Sequence, residues 1–151
     1  MLPVGQAPVT SPFGWREHPV LKTRRFHNGV DFGVPPGTAV GAWRPGVVVA
    51  AKPWPDTPEG RAKQPNGTYA KILHEDGFVS FYLHLSSLAV DRGERVAMGQ
   101  IVGRSGATGR VQVHGDGTLA AHLHFEVHDP ENVPVDPASW VSPDAAPVRV
   151  A

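Results

Sequence analysis

Cysteine is absent from all 151 residues, and this excludes disulfide bonds and thiolate metal ligands. Any metal ion must therefore be held by histidine and carboxylate side chains. An excess of one charge is also absent, because 14 lysines and arginines balance 14 acidic residues. This balance argues against duplex nucleic acid or an anionic membrane surface as the main partner.

Long apolar segments are scarce as well. The strongest apolar run, residues 46–51, is far too short to span a bilayer, so no membrane insertion is expected. The first residues lack the basic region and apolar core of a secretory signal peptide. No sustained apolar pattern at helical spacing is present, whereas 17 glycines and 16 prolines favour turns and short strands.

The sequence therefore predicts an all-β fold, mostly antiparallel, with a central sheet, an open groove and few or no helices. The strand candidates are residues 46–51, 68–74, 78–85, 94–103 and 121–127, and residues 74–77 read as a hairpin turn. No second domain is indicated, so residues 1–151 form a single domain, with a loose tail over residues 141–151.

Histidines occupy alternate positions in the last strand candidate. Side chains of a strand alternate between faces. One face then carries His122, His124, Glu126 and His128, and the other carries Leu123, Phe125 and Val127. Two neighbouring imidazoles on one face favour a metal site, although a surface histidine pair is the simpler alternative.

A second cluster, FHNGVDFG, places His27 and Asp31 on either side of Gly29. A glycine permits a sharp turn, so we expect both side chains to converge. Together with one of His122 or His124 they would form a three-ligand zinc site whose fourth position is left for water, which is the catalytic arrangement. The H-E-x-x-H motif is absent, which excludes a helix-borne site of that type.

Seven segments complete the pattern between about residue 11 and residue 140: SPFGWREHP, HNGVDFGVPPGTAV, NGTYAKILHEDG, YLHLS, VAMGQIVGRSGATG, HLHFEV and PVDPASW. In this order they resemble the lysostaphin-type (LytM-like) zinc metallopeptidases, which cut peptidoglycan peptides. The resemblance implies a barrel-sandwich-like core built on a duplicated β motif. It also implies a catalytic domain that acts on stem peptides or crossbridges.

By this resemblance the ligands of one Zn2+ per chain are His27, Asp31 and His124, and the non-ligand catalytic histidines are His122 and His84. We interpret His122 as the general base and His84 as the group that stabilises the oxyanion, with the reverse assignment left open. Strand alternation places His84 on the face of Tyr82 and Ser80. Tyr82 is a candidate substrate contact, with a core tyrosine as the alternative.

For the remaining polar groups near these motifs, a structural role is the simpler alternative to a functional one. Glu126 is a candidate partner for a ligand histidine, although an ordinary hydrogen bond or salt bridge is the simpler interpretation. The other histidines are expected to be solvated or structural, namely His18, His74, His114 and His128. Two loops, residues 53–66 and 110–121, are longer than the family pattern, so substrate preference does not carry over from the resemblance.

Two other functions fit parts of the sequence. One is a non-catalytic wall-binding or activator module of the same fold, against which the intact set of five site residues argues. The other is a phosphotransferase-type or lipoyl-type carrier domain, which has no need of the HLHFEV strand. The expected partners are peptidoglycan peptides, and a monomer is favoured.

The delivery of such an enzyme is a separate expectation. The recognisable domain begins close to Met1 without an export signal. We therefore expect a phage-type lysin that is made in the host cytoplasm and released through a holin, or a virion component. A secreted protein whose signal has been trimmed is the alternative.

Overall fold

The computed structural model describes residues 3–5, 7–17, 21–111 and 119–137. The predicted roles of His18 and His114, most of the 110–120 loop and the 141–151 tail lie outside these residues. The strands are β1 (Val9–Ser11), β2 (Gly14–Glu17), β3 (Arg24–His27), β4 (Val30–Phe32), β5 (Ala39–Gly41), β6 (Gly46–Lys52), β7 (Thr68–His74), β8 (Val79–Leu88), β9 (Arg95–Val96), β10 (Ile101–Ser105), β11 (Leu123–His128) and β12 (Pro134–Val135). One short helix, α1 (Pro58–Ala62), lies between β6 and β7.

All pairings between the described strands are antiparallel. Seven strands follow the order β1-β4-β11-β8-β7-β6-β9, while β5, β10 and β12 attach beside them, and β2 and β3 form a separate ribbon. Among the described residues the strand order does not close into a barrel, and no helix has the length and apolar character that crossing a bilayer requires. The prediction of an all-β, antiparallel fold with few helices is confirmed.

The bounds of several strand candidates shift by one to three residues, and one candidate is divided. Residues 94–103 form two strands, because a turn at Met98 and Gly99 separates β9 from β10. Gly99 has a φ of 80°, a conformation that glycine adopts without steric cost. The predicted hairpin turn at residues 74–77 is present. The Gly77 amide donates to the His74 carbonyl (3.0 Å), and the His74 amide donates to the Phe78 carbonyl (2.8 Å).

The core lies beneath β11 and its neighbours. Leu123, Phe125 and Val127 are fully buried, whereas the three residues that alternate with them in β11 are only half-buried. The Phe125 ring lies 5.4 Å from the Tyr82 ring and 6.5 Å from the Trp43 ring. The predicted alternation along this strand is therefore confirmed, and it directs the histidines away from the core.

A chain of hydrogen bonds crosses this core. The Trp43 amide donates to the Tyr82 hydroxyl (2.9 Å), which lies 2.8 Å from the Ser80 hydroxyl, and Ser80 lies 2.8 Å from His74 Nε2. His74 Nδ1–H donates to the Pro45 carbonyl, so the ring accepts from Ser80, and burial lowers the pKa of His74. His74 is thus structural. Tyr82 is fully buried, which does not fit a substrate contact and fits the alternative of a core tyrosine.

Replacing Tyr82 with phenylalanine should destabilise the fold by about 1–3 kcal/mol, because it removes the buried hydroxyl that accepts from the Trp43 amide and contacts the Ser80 hydroxyl. Urea unfolding followed by tryptophan fluorescence measures the change. The matched control is Tyr69→Phe, at the only other tyrosine, a half-buried residue of β7 that should shift stability by less than about 0.5 kcal/mol. Equal effects of the two substitutions would show that the hydrogen-bond chain contributes nothing.

Candidate active site

Three potential ligand atoms converge where β3, β4 and β11 meet. Asp31 lies directly opposite His124 in the β4–β11 pairing, and His27 is the last residue of β3. The Asp31 Oδ1 atom lies 2.7 Å from His124 Nδ1 and 3.4 Å from His27 Nε2, and the two nitrogens are 3.2 Å apart. The structure therefore brings together the histidine, aspartate and histidine that the sequence singled out.

Gly29, between His27 and Asp31, acts differently from the sequence-based expectation. Its φ lies outside the left-handed region, so a special turn conformation is not what requires glycine here. A Cβ at this position would collide with the Phe125 carbonyl oxygen and lie 2.7 Å from Glu126 Cγ. Glycine therefore allows the β3–β4 turn to approach β11 closely, which brings the three ligand atoms together.

Hydrogen bonds outside the cluster fix the tautomers of both histidines. Because a carbonyl oxygen only accepts, His27 Nδ1 must donate to the Pro12 carbonyl (2.9 Å), which leaves the Nε2 lone pair towards Asp31. His124 Nε2 lies 2.9 Å from Glu126 Oε2 and donates to it, so its Nδ1 can offer a lone pair. Glu126 is thus the partner of His124, and it also accepts from His128 Nε2 (3.0 Å).

The spacing of the three ligand atoms fits a tetrahedral metal. Bond lengths of about 2.0–2.1 Å to zinc place neighbouring ligand atoms about 3.3 Å apart. The observed separations run from 2.7 to 3.4 Å. Two imidazole nitrogens and one carboxylate oxygen are also the donor set that zinc accepts in catalytic sites. The residues present therefore fit a divalent ion.

Burial and the contacts within the cluster shift the pKa values of Asp31 and His124. Burial alone would raise the pKa of Asp31, but the hydrogen bond with His124 and the neighbouring imidazoles outweigh burial and lower this pKa below its usual range. Burial would lower the pKa of His124, but hydrogen bonds to Asp31 and Glu126 raise this pKa to about 9. The two carboxylates therefore favour positive charge at the position between them.

Two further histidines lie beside the cluster. His122 Nδ1 donates to the Ala120 carbonyl (2.9 Å), and His122 Nε2 lies 3.7 Å from Asp31 Oδ1. His84 Nδ1 donates to the Thr108 carbonyl (2.7 Å), and its ring lies 5.1 Å from the His122 ring. In the neutral form, both rings keep an unprotonated Nε2. Burial lowers the pKa of His84 to about 4, so this ring is neutral near pH 7.

His84 reaches the site through a β-bulge that the sequence pattern does not reveal. The β7–β8 register shifts between the pairs Thr68–Leu85 and Ala70–Tyr82, so β8 has one more residue than β7 in this interval. His84 itself has a φ of +61°. Tyr82 and Leu85 both lie in the core, while His84 lines the groove. The expectation that His84 shares a face with Tyr82 and Ser80 is therefore wrong.

These side chains line an open groove with a volume of about 570 Å³. Its walls come from β1, β3 and β4, from His84 of β8 and His124 of β11, and from residues 110–111 and 120–122. All five predicted metal and catalytic residues line it, together with Arg110, whereas Tyr82 does not. The predicted open groove is thus present.

Comparison with known proteins agrees with this geometry. The model of peptidase family M23 matches residues 25–137. The peptidoglycan DD-endopeptidase ShyA of Vibrio cholerae is 39% identical over 112 residues, which are 74% of this chain and 22% of the relative. The chain spans only about a quarter of the length of the curated relatives that it matches.

Solved structures extend the similarity to the fold. A zinc-containing peptidase from Vibrio cholerae superimposes with a TM-score of 0.72 at 34% identity, covering 89% of this chain and 37% of that one. The catalytic domain of lysostaphin from Staphylococcus simulans gives a TM-score of 0.67 at 28% identity, covering 89% of this chain and 92% of that one. The lysostaphin-type resemblance is confirmed, and the chain belongs to peptidase family M23.

Proposed function

We propose that the protein is a zinc-dependent endopeptidase that hydrolyses peptide bonds of bacterial peptidoglycan. The observation that carries this proposal is the convergence of His27, Asp31 and His124 in an open groove beside two additional imidazoles. The names of two similar proteins, a peptidoglycan DD-endopeptidase and a zinc-containing peptidase, support the substrate and the metal.

The roles of the residues follow from their free ring atoms. His27 Nε2, Asp31 Oδ1 and His124 Nδ1 would hold the zinc, with Glu126 and Pro12 orienting the two rings. Bound zinc supplies Lewis-acid activation of water and of the scissile carbonyl.

Proton transfer falls to His122 and His84. Each ring donates its Nδ1–H to a backbone carbonyl, so the Nε2 of the neutral ring can only accept a proton. One ring takes a proton from the attacking water, and the resulting imidazolium returns it to the leaving amine as the C–N bond breaks. The neutral tautomer of His84 has no hydrogen on Nε2, which favours the reverse assignment that the sequence left open, with His84 as a base. His84 therefore joins His122 as a candidate base.

Digestion of purified sacculi tests the proposal. The protein should release peptide fragments cut at a D,D crosslink, because the ShyA relative is named a DD-endopeptidase. Sacculi with direct crosslinks and sacculi with glycine bridges are digested in parallel, and mass spectrometry identifies the new termini. Addition of a zinc chelator should stop the release.

The His124→Ala variant is the matched control for this digestion. If the starting protein and this variant release identical fragments from every wall type, the peptidase proposal is contradicted. That result would favour a wall-binding or activator module. Cuts in the glycan strand would contradict the proposed bond. The phage-lysin role, the holin partner and the monomeric state stay predictions, because neither the fold nor the groove bears on them.

A further inference from the structure

The SGATG segment, residues 105–109, contacts both candidate proton-transfer histidines. The Gly106 carbonyl accepts a hydrogen bond from the His122 amide (3.3 Å), in an isolated bridge that precedes β11. Two residues later, the Thr108 carbonyl accepts from His84 Nδ1–H (2.7 Å). One short stretch of backbone therefore holds the main chain of one histidine and the ring of the other.

The Thr108 side chain fastens this segment to the sheet. Its hydroxyl donates to the Leu85 carbonyl (2.6 Å) and accepts from the Thr68 amide (3.0 Å). Leu85 immediately follows His84, and Thr68 is the first residue of β7. The hydroxyl thus joins the two strands at the pair Thr68–Leu85, where the bulge at His84 begins.

The loop at residues 53–67 also contacts the bulge. The Asn66 carbonyl accepts from the His84 amide (2.9 Å), and the Pro65 carbonyl accepts from the Arg110 amide (2.8 Å). The loop and the SGATG segment also interlock, since a Cβ on Gly109 would lie 2.8 Å from Gly67 Cα. This loop includes residues 53–66, which the sequence predicts to be longer than the family pattern, and it lies against the backbone of His84.

His84 needs such support because of its backbone conformation. A φ of +61° is unfavourable for a residue with a Cβ, and such a conformation persists only when its surroundings hold it. The supports are the Asn66 carbonyl on the amide and the Thr108 carbonyl on the ring. The ring bond also selects the tautomer that leaves Nε2 free to accept a proton.

We infer that Thr108 is a positioning residue for catalysis: its hydroxyl fixes the segment whose carbonyl orients the His84 ring and selects its tautomer. The inference rests on the proposed function for the role of His84 as a proton acceptor. Thr108 itself does not line the groove, so it acts on the reaction through His84.

The Thr108→Val variant of the zinc-loaded protein tests the inference, because valine keeps the shape and loses the hydroxyl. We expect kcat to fall roughly 10- to 100-fold, with KM changed by less than about twofold and bound zinc unchanged. The Thr108→Ser variant, which keeps the hydroxyl, should recover most of the rate. Thr38→Val, which removes the hydroxyl that donates to the Pro35 carbonyl away from the groove, should keep the full rate.

Nuclear magnetic resonance of the imidazole nitrogens provides a second readout that needs no activity. The His84 signal, assigned by its loss in His84→Gln, should show the Nδ1–H tautomer in the starting protein and a mixture of tautomers in Thr108→Val. The His122 signal should not change, because the Ala120 carbonyl holds that ring. If Thr108→Val does not fold, Thr108→Ala removes the same hydroxyl and is measured in the same way.

The outcomes separate this inference from the proposed function. An unchanged His84 tautomer in Thr108→Val overturns the inference. The inference also fails if Thr108→Ser and Thr38→Val lose as much of the rate as Thr108→Val does. If the starting protein cleaves no wall peptide, the proposed function fails. The His84 signal still decides in that case whether Thr108 orients the ring.

Discussion

Alanine at His27, Asp31 or His124 should abolish both bound zinc and peptidase activity. The three ligand atoms lie 2.7 to 3.4 Å from one another, and the loss of any one leaves two donors, which is fewer than a catalytic zinc site uses. Zinc content after dialysis, measured by elemental mass spectrometry, should fall from about one ion per chain to a few per cent. Peptide release from sacculi should fall to the level without protein.

The matched control is Asp56→Ala, which removes an exposed carboxylate from the 53–67 loop, away from the cluster. This variant should keep its zinc and its rate. Circular dichroism shows whether each variant is folded, so that loss of metal is not confused with loss of structure. A His27, Asp31 or His124 variant that is folded and keeps stoichiometric zinc would remove that residue from the ligand set.

Replacing His84 or His122 with alanine should leave zinc near stoichiometric and lower turnover by roughly a hundredfold or more, the usual scale for losing an acid–base group. The reason is geometric. Both rings lie beside the cluster, but each is fixed by a backbone carbonyl and keeps its free Nε2 for a proton. Zinc content and kcat of the same preparations are the two measurements.

The clearest test of this prediction is the comparison of His122 with His124, the two histidines of the H-x-H motif. Loss of zinc from the His122 variant, with retention in the His124 variant, would show that the ligand and the catalytic histidine are exchanged. The structure supports the predicted assignment, because His124 Nδ1 lies 2.7 Å from Asp31 Oδ1 whereas His122 Nε2 lies 3.7 Å from it.

The alternation of β11 was predictable because it depends on local geometry alone. Side chains at residues 122, 124 and 126 must share a face in any extended strand, and the apolar residues between them select the buried face. The absence of cysteine restricted the ligands to histidine and carboxylate, and the order of motifs identified the family. The sequence by itself therefore determined the antiparallel β architecture and, through the family resemblance, the four histidines and one aspartate that line the groove, whereas it misplaced Tyr82.

The tertiary structure decided how these residues face the groove. An inserted residue reverses the face of every later side chain, so the bulge at His84 separates it from Tyr82, which strand alternation alone had placed beside it. Gly29 matters because β11 passes against it, which involves residues about 100 positions away. The tautomers of His84 and His122 depend on the carbonyls of Thr108 and Ala120. A carbonyl acceptor belongs to every residue type, so no sequence pattern reveals which carbonyl meets which ring. That pairing exists only once the chain has folded.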